Sequence, residues 1–242
     1  MRYEKKKIII YDFDGTLTPY PITKFEILDK CGFVGGTALP VLIDAINKKI
    51  DEGYEHYYAI YNCFLDVVRN SEYTLNDENI SLGAEKLEYN TGVFEYFDKI
   101  TNNRNIKNYL ISSGIKVLLD KTKISKYFDE IYATTFKYDN DIIIDTDYLM
   151  SDKKKVEIIK KILVDNGYSD NDCSDVIYIG DGLTDLYAME YVRSNGGESV
   201  FVYLDSSNEL LNVARESDAV SYFDYADYSI NGSLFNYIIE RI

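Results

Sequence analysis

Asp12 and Asp14 stand two apart in Asp12-Phe13-Asp14-Gly15-Thr16. Residues i and i+2 of a strand point to the same side. An apolar run precedes them, so two carboxylates leave the carboxyl end of a buried strand together. Gly15 then lets the chain turn away. An ordinary Asp-rich turn reads the same way. A second acidic motif, Gly180-Asp181-Gly182-Leu183-Thr184-Asp185, also follows an apolar run. Asp185 lies four residues beyond Asp181, one turn on if a helix has begun. Taken alone, an Asp-Gly turn capping the next helix explains this motif equally well. Two such motifs at the ends of two core strands are harder to explain structurally, because clustered carboxylates raise one another's pKa and repel. A divalent cation between them removes that repulsion, and hard oxygen ligands suit Mg²⁺. Asp12, Asp14, Asp181 and Asp185 are the metal candidates.

Two further segments could hold an anion. Ser112-Ser113-Gly114 ends an apolar run and opens a helical stretch. A hydroxyl and free backbone N–H groups there make an anion site, although capping the helix is the commoner task of a serine so placed. Lys155 is the other. At 100° per residue it shares a face with Ile159 and Ile162, while Lys153 points away and Lys154 sits at the edge of the apolar arc. Lys155 therefore faces the interior, where an ammonium needs an anionic partner.

These residues need a scaffold that brings strand ends together. Runs 8–13, 109–111 and 176–179 are short and nearly continuously apolar, the pattern of strands buried on both faces. Run 199–203 is a weaker fourth. Helical stretches at 117–128, 155–164 and 183–192 alternate with them. This alternation predicts a doubly wound, Rossmann-like α/β sheet, and ligands of such sheets bind at the strands' carboxyl ends. Residues 134–146 predict a β-hairpin around Asp139-Asn140-Asp141.

Residues 21–90 break the pattern. Leu39, Leu42, Ile43, Ile46 and Ile50 fall at helical spacing, as do Tyr57, Ile60, Tyr61, Phe64, Leu65 and Val68. A polar stretch at 72–79 precedes a last helix near 80–89. The segment reads as an all-helical insertion carrying 12 acidic and 6 basic side chains. The predicted division is an α/β core of 1–20 and 91–242 with a helical domain at 21–90.

Composition narrows the function. The 242 residues suffice for a core without disulfides or structural metal. No apolar run approaches the roughly 18 residues that span a bilayer, and the amino-terminal run is too short for a secretory signal. Three dispersed cysteines, Cys31, Cys63 and Cys173, predict reduced thiols and a cytoplasmic protein. The net charge of −15, without a broad basic patch, argues against nucleic-acid or anionic-membrane partners. A small anionic substrate needs a local cation. His56 is the only histidine, so a His-based triad or His-rich metal site is excluded.

In order, Asp12-x-Asp14-Gly-Thr, Ser112, Lys155 and Gly180-Asp181-Gly-x-x-Asp185 resemble the four motifs of the haloacid dehalogenase-like hydrolase superfamily, and the branch containing phosphoserine phosphatase in particular. The resemblance covers 1–20 and about 91–242, and the helical insertion is similar to the C1 cap of that family. It implies a Mg²⁺-dependent phosphomonoester hydrolase acting on a small phosphorylated metabolite. Asp12 is then the nucleophile and Asp14 the general acid and base. Asp12, the Asp14 carbonyl and Asp181 hold the metal, with Asp185 as a ligand or next to one. Ser112, Ser113 and Lys155 hold the phosphoryl oxygens. The acid at Asp14 sets the chain apart from dehalogenases, whose halide leaves without a proton.

The sequence departs from that branch in places. Gapless counting puts Pro21 where an acid reads the phosphoserine amine, and Glu26 lies a turn or more further on. Ser113 replaces a usual glycine. Arg69, the cap's one arginine, is a candidate for reading a substrate carboxylate or second phosphate, against a surface role favoured on general grounds. None of Lys24, Lys30, Lys48, Lys49 and Lys86 has a setting that suits a phosphonate hydrolase's imine lysine. A phosphotransferase or phosphomutase uses the same residues. A non-catalytic phosphometabolite-binding module needs no Asp14. The sequence leaves substrate and oligomeric state open.

Overall fold

A computed structural model describes residues 5–19, 38–71, 76, 78, 84–85, 87–206 and 209–242. Its centre is β1 (Lys7–Tyr11), where Ile8, Ile9 and Ile10 are fully buried. β1 pairs in parallel with β2 (Ile106–Ile115) on one side and β5 (Val176–Gly180) on the other. With β3 (Glu130–Asp139), β4 (Ile142–Tyr148), β6 (Glu198–Tyr203) and β7 (Tyr222–Tyr225), the sheet order is β4-β3-β2-β1-β5-β6-β7. All neighbouring pairs are parallel except β3–β4. The chain reverses its direction of winding at β1, and that switch point opens a crevice at the carboxyl ends of β1, β2 and β5. This is the predicted doubly wound α/β sheet.

Helices cover both faces. Ile9, Tyr11, Leu110, Ile177 and Ile179 pack in one layer with residues of α3 (Val93–Thr101) and α8 (Ser233–Ile239). Ile8, Ile10, Tyr109, Ile111 and Tyr178 pack in the other with α5 (Asp152–Asp165), α6 (Leu183–Ser194) and α7 (Glu209–Glu216). Strands buried on both faces are why these runs read as continuously apolar.

Between β1 and α3 lie α1 (Ala38–Asp51) and α2 (His56–Arg69). Glu55 caps α2 by accepting from Tyr58 N at 3.0 Å. On the predicted stripe of α2, Tyr57, Tyr61, Phe64, Leu65 and Val68 are buried. Ile43 of α1 is instead exposed. The expected helix near 80–89 lies largely outside the described residues, as do Cys31, Pro21, Glu26, Lys24, Lys30 and Lys86. Among the described residues, no helix is long and apolar enough to cross a membrane.

Three local expectations change. The helix predicted over 117–128 is only α4 (Lys116–Asp120), followed by a 3₁₀ turn at Ser125–Tyr127. Thr122 donates its hydroxyl to Leu119 O at 2.7 Å and accepts from Ser125 N through its carbonyl, an alternative to helical bonding. β2 does not stop at Ile111 but runs on to Ile115, with its pairing to β3 shifting between Ile111 and Ile115. The hairpin forms as predicted. Asn140 and Asp141 both have positive φ (46° and 68°), as a two-residue type I′ turn requires.

Candidate active site

Asp12 follows β1 directly, and its N–H donates to Ile179 O at 2.8 Å, so the sheet's pairing fixes its backbone. Gly15 turns the chain with φ +81°. A Cβ on Gly15 would lie 1.9 Å from Asp181 Oδ2, so only glycine lets the turn close onto that carboxylate. Thr16 completes the contact, donating its hydroxyl to Asp181 Oδ1 at 3.1 Å. The carbonyl of Thr16 accepts from Asn90 Nδ2 at 2.8 Å and Tyr228 OH at 3.1 Å, which anchors the loop from behind.

Lys155 lies in the first turn of α5 and is 1% exposed. Its Nζ donates to Asp12 Oδ1 and to Asp185 Oδ1, both at 2.7 Å. The inward orientation predicted from the helix face is therefore correct. Asp185 also accepts from Tyr178 OH at 2.7 Å on Oδ1, and from Gly182 N at 3.0 Å and Asp181 N at 3.3 Å on Oδ2. Protein donors thus fill the roughly four lone-pair positions of this carboxylate. Asp185 acts as a post that fixes both Lys155 and the turn carrying Asp181.

Carboxylate oxygens of Asp12, Asp181 and Asp185 lie within 4.8 Å of one another. Three carboxylates thus share one neighbourhood with a single ammonium, which bonds to two of them. Burial, then the charge of Asp185, pushes the Asp12 carboxyl up to about 7 against the pull of Lys155. Burial, then the charge of Asp12, raises Asp181 well above the carboxylate range. Burial pulls Lys155 down, but Asp12 and Asp185 outweigh it and hold the ammonium well above its usual value. All three shifts have one meaning: the cluster is short of positive charge. Close oxygen donors lacking a counter-charge fit a hard divalent cation such as Mg²⁺. The Asp14 carboxylate is outside this trio.

At the end of β2, Ser112 is buried, and its Oγ accepts from Gly114 N at 3.0 Å. A Cβ on Gly114 would lie 3.1 Å from Ser112 Oγ and 3.6 Å from Asp14 Oδ2, so Asp14 faces this same segment. The expectation that Ser112 opens a helix is corrected: it sits in the irregular last part of β2, and α4 starts at Lys116. The Ser113 carbonyl accepts from Tyr61 OH at 2.5 Å and Thr134 Oγ1 at 2.9 Å. Tyr57, one turn before Tyr61 on α2, is within hydrogen-bonding reach of Ser113 and Thr184, and burial pushes its phenol up to about 12. α2 therefore sits against the segment 112–114 through two phenols.

Arg69 does not join this cluster. It pairs with Asp66 at 3.2 Å and donates to Ile144 O, with its side chain half exposed. Twelve residues separate it from Tyr57, about 18 Å along the helix axis. Its charge ties α2 to β4. His56 is exposed and packs edge-on against Tyr57.

Tyr178, Tyr57 and Tyr61 lie at this site outside the motifs, and Thr16, the last residue of the first motif, gives no sequence hint of its bond to Asp181. Tyr178 left one signal, a lone hydroxyl inside the apolar strand Val-Ile-Tyr-Ile. For Tyr57 and Tyr61 the helical stripe predicted burial, but not against what.

Comparison with known proteins agrees with this fold. A protein of Borreliella burgdorferi described as uncharacterized is 24% identical, with 99% of this chain and 98% of that protein covered. A substrate-bound phosphoserine phosphatase superposes with a TM-score of 0.68 at 18% identity, over 99% and 100% of the two chains. A phospho-aspartyl intermediate analogue of phosphoserine phosphatase gives 0.65 at 18% identity, over 91% and 94%. The family model for haloacid dehalogenase-like hydrolases matches residues 9–190, which include Asp12, Ser112, Lys155, Asp181 and Asp185, and the chain belongs to that family of hydrolases.

Proposed function

We propose that the chain is a Mg²⁺-dependent phosphomonoester hydrolase acting on a small phosphorylated metabolite. The observation that carries this reading is the buried Lys155 ammonium bridging Asp12 and Asp185 beside Asp181. Three distant segments, at Asp12, at Lys155, and at Asp181 and Asp185, form one acidic cluster at the switch point. An inert turn or a simple cap does not need a fully buried lysine among three carboxylates.

Asp12 is the nucleophile. Its carboxylate oxygen attacks phosphorus, the bond to the leaving oxygen breaks, and Asp14 gives that oxygen its proton. Asp14 then takes a proton from water as the water attacks the aspartyl-phosphate. Orthophosphate leaves and Asp12 is regenerated. Lys155 and Ser112, with the backbone N–H of Ser113, hold the phosphoryl oxygens as charge shifts onto them. Asp12, Asp181 and the Asp14 carbonyl would hold the metal, and Asp185 would keep Lys155 and the Asp181 turn in place beside it. Bound there, Mg²⁺ supplies the charge that lets a carboxylate and a phosphate approach.

In the same reading, residues 1–20 and 91–242 form the catalytic core and 21–90 a C1-type cap. The cap's contacts through Tyr57 and Tyr61 serve to exclude water during transfer. Cytoplasmic residence belongs to it too, supported by the free, buried thiols of Cys63 and Cys173. The test is release of orthophosphate from p-nitrophenyl phosphate with Mg²⁺. Asp12→Asn is expected to lower turnover at least about 1,000-fold. Absence of turnover by the unaltered protein under any divalent metal and across a panel of phosphorylated metabolites would overturn the reading.

A further inference from the structure

Tyr178 lies in the middle of β5, is fully buried, and belongs to the apolar layer beneath α5 and α6. Phenylalanine would pack there equally well. Burying a phenol is unfavourable unless its O–H finds an acceptor. The acceptor here is Asp185 Oδ1 at 2.7 Å, the same oxygen that takes Lys155 Nζ at 2.7 Å. Tyr178 and Lys155 thus share the negative charge of one oxygen, each bonded to it at the same time. The Lys155 ammonium has a further partner, Asp12 Oδ1, also at 2.7 Å.

We propose that Tyr178 is a positioning residue that limits the hold of Asp185 on Lys155 and so leaves the ammonium available to an incoming phosphoryl group. The proposal rests on the phosphatase reading and deepens it. By donating to Oδ1, the phenol neutralises part of the charge there and fixes the rotamer of Asp185. Without it, Oδ1 turns its whole charge on Lys155 and draws the ammonium away from Asp12 and the phosphoryl oxygens. Hydrogen bonds to charged groups in a dry site are strong enough for one such change to alter ligand affinity severalfold.

The experiment compares unaltered protein, Tyr178→Phe and Tyr109→Phe. Tyr109 lies in the same layer, and its hydroxyl accepts from Asn166 rather than donating to Asp185. Orthophosphate binding is measured by calorimetry with Mg²⁺, alongside KM, kcat and thermal melting. Tyr178→Phe is expected to weaken orthophosphate binding about three- to tenfold and to raise KM by a similar factor. Tyr109→Phe is expected to lower the melting temperature without moving either constant. If Tyr178→Phe melts lower but binds orthophosphate as tightly as the unaltered protein, Tyr178 is structural only and the proposal falls while the phosphatase reading stands. If the unaltered protein neither binds orthophosphate nor hydrolyses a phosphomonoester, both fall together.

Discussion

Gly15 is pressed against Asp181 so closely that a Cβ at position 15 would lie 1.9 Å from Oδ2 and 2.5 Å from Cγ of that carboxylate. The two residues come from different motifs, 166 positions apart in the sequence. The contact sets the spacing between the Asp12 loop and the acidic turn after β5.

Gly15→Ala therefore carries two penalties. Its φ of +81° costs an L-residue roughly 1–2 kcal/mol, and its methyl group displaces Asp181. Gly53→Ala is the control, because Gly53 has φ +94° but nothing within 4 Å of its added Cβ. Both variants should lose stability. Only Gly15→Ala should lose activity, by about 100-fold or more in kcat/KM, since angstrom-scale misplacement of reacting groups is that costly. Steady-state kinetics on both variants checks this.

The shortage of positive charge around Asp12, Asp181 and Asp185 predicts that a divalent metal stabilises the fold. Mg²⁺ at a hundredfold excess over its dissociation constant should stabilise the chain by about 2.7 kcal/mol. For a chain this size that is a rise of roughly 5–10 °C in melting temperature. Chelator-treated protein should lose the rise, and Asp181→Asn should greatly reduce it. Thermal melts with and without Mg²⁺ decide the matter, independently of any substrate.

Parts of this site were legible because local rules control them. Lys155, Ile159 and Ile162 share a helix face, and all three are buried. Asp12 and Asp181 follow apolar strands, and in a doubly wound sheet those strands have one ligand-binding edge. The end of β2 was not legible. Ser112 looked like a helix cap, but pairing with β3 extends the strand past it, and such pairing is set by a partner some twenty residues away. Tyr178 was missed, and the role of Thr16 within its motif was not legible, because nothing local links them to their acceptors, Asp185 and Asp181. Arg69 stands among the sequence candidates, but its acceptor, Ile144 O, is 75 positions away and leaves no local signal.

Arg69→Ala should leave kcat/KM within about twofold for every substrate tested. The guanidinium is engaged with Asp66 and the Ile144 carbonyl and is half exposed. Its loss should cost no more than about 1 kcal/mol, the ordinary range for exposed pairs. A substrate whose KM rises tenfold in this variant would restore Arg69 as a specificity residue.

Tyr61→Phe removes the hydrogen bond from α2 to the Ser113 carbonyl, while Thr134 keeps that carbonyl satisfied. The fold should lose about 1 kcal/mol. Amides of α2 should exchange faster with solvent while those of β1 and β5 are unchanged, because the lost bond joins the helix to the core and not the core to itself. Uniform acceleration across the sheet would show that Tyr61 supports the whole fold.

On the proposed mechanism, Asp14, unlike Asp12, should matter more for one leaving group than for another. If Asp14 gives the leaving oxygen its proton, the need for it depends on how basic that oxygen is. Nitrophenolate departs readily without a proton, whereas an alkoxide does not. Asp14→Asn should therefore slow the first step of an alkyl phosphate by roughly 100-fold or more, within the usual range for general acid catalysis. With p-nitrophenyl phosphate the first step should slow far less. Hydrolysis of the aspartyl-phosphate, which needs Asp14 as base, should then limit turnover for both substrates. Rapid mixing of Asp14→Asn with p-nitrophenyl phosphate should show a burst of nitrophenol equal to the enzyme present, followed by slow release of orthophosphate. Equal slowing of aryl and alkyl substrates, with no burst, would mean that Asp14 only shapes the loop.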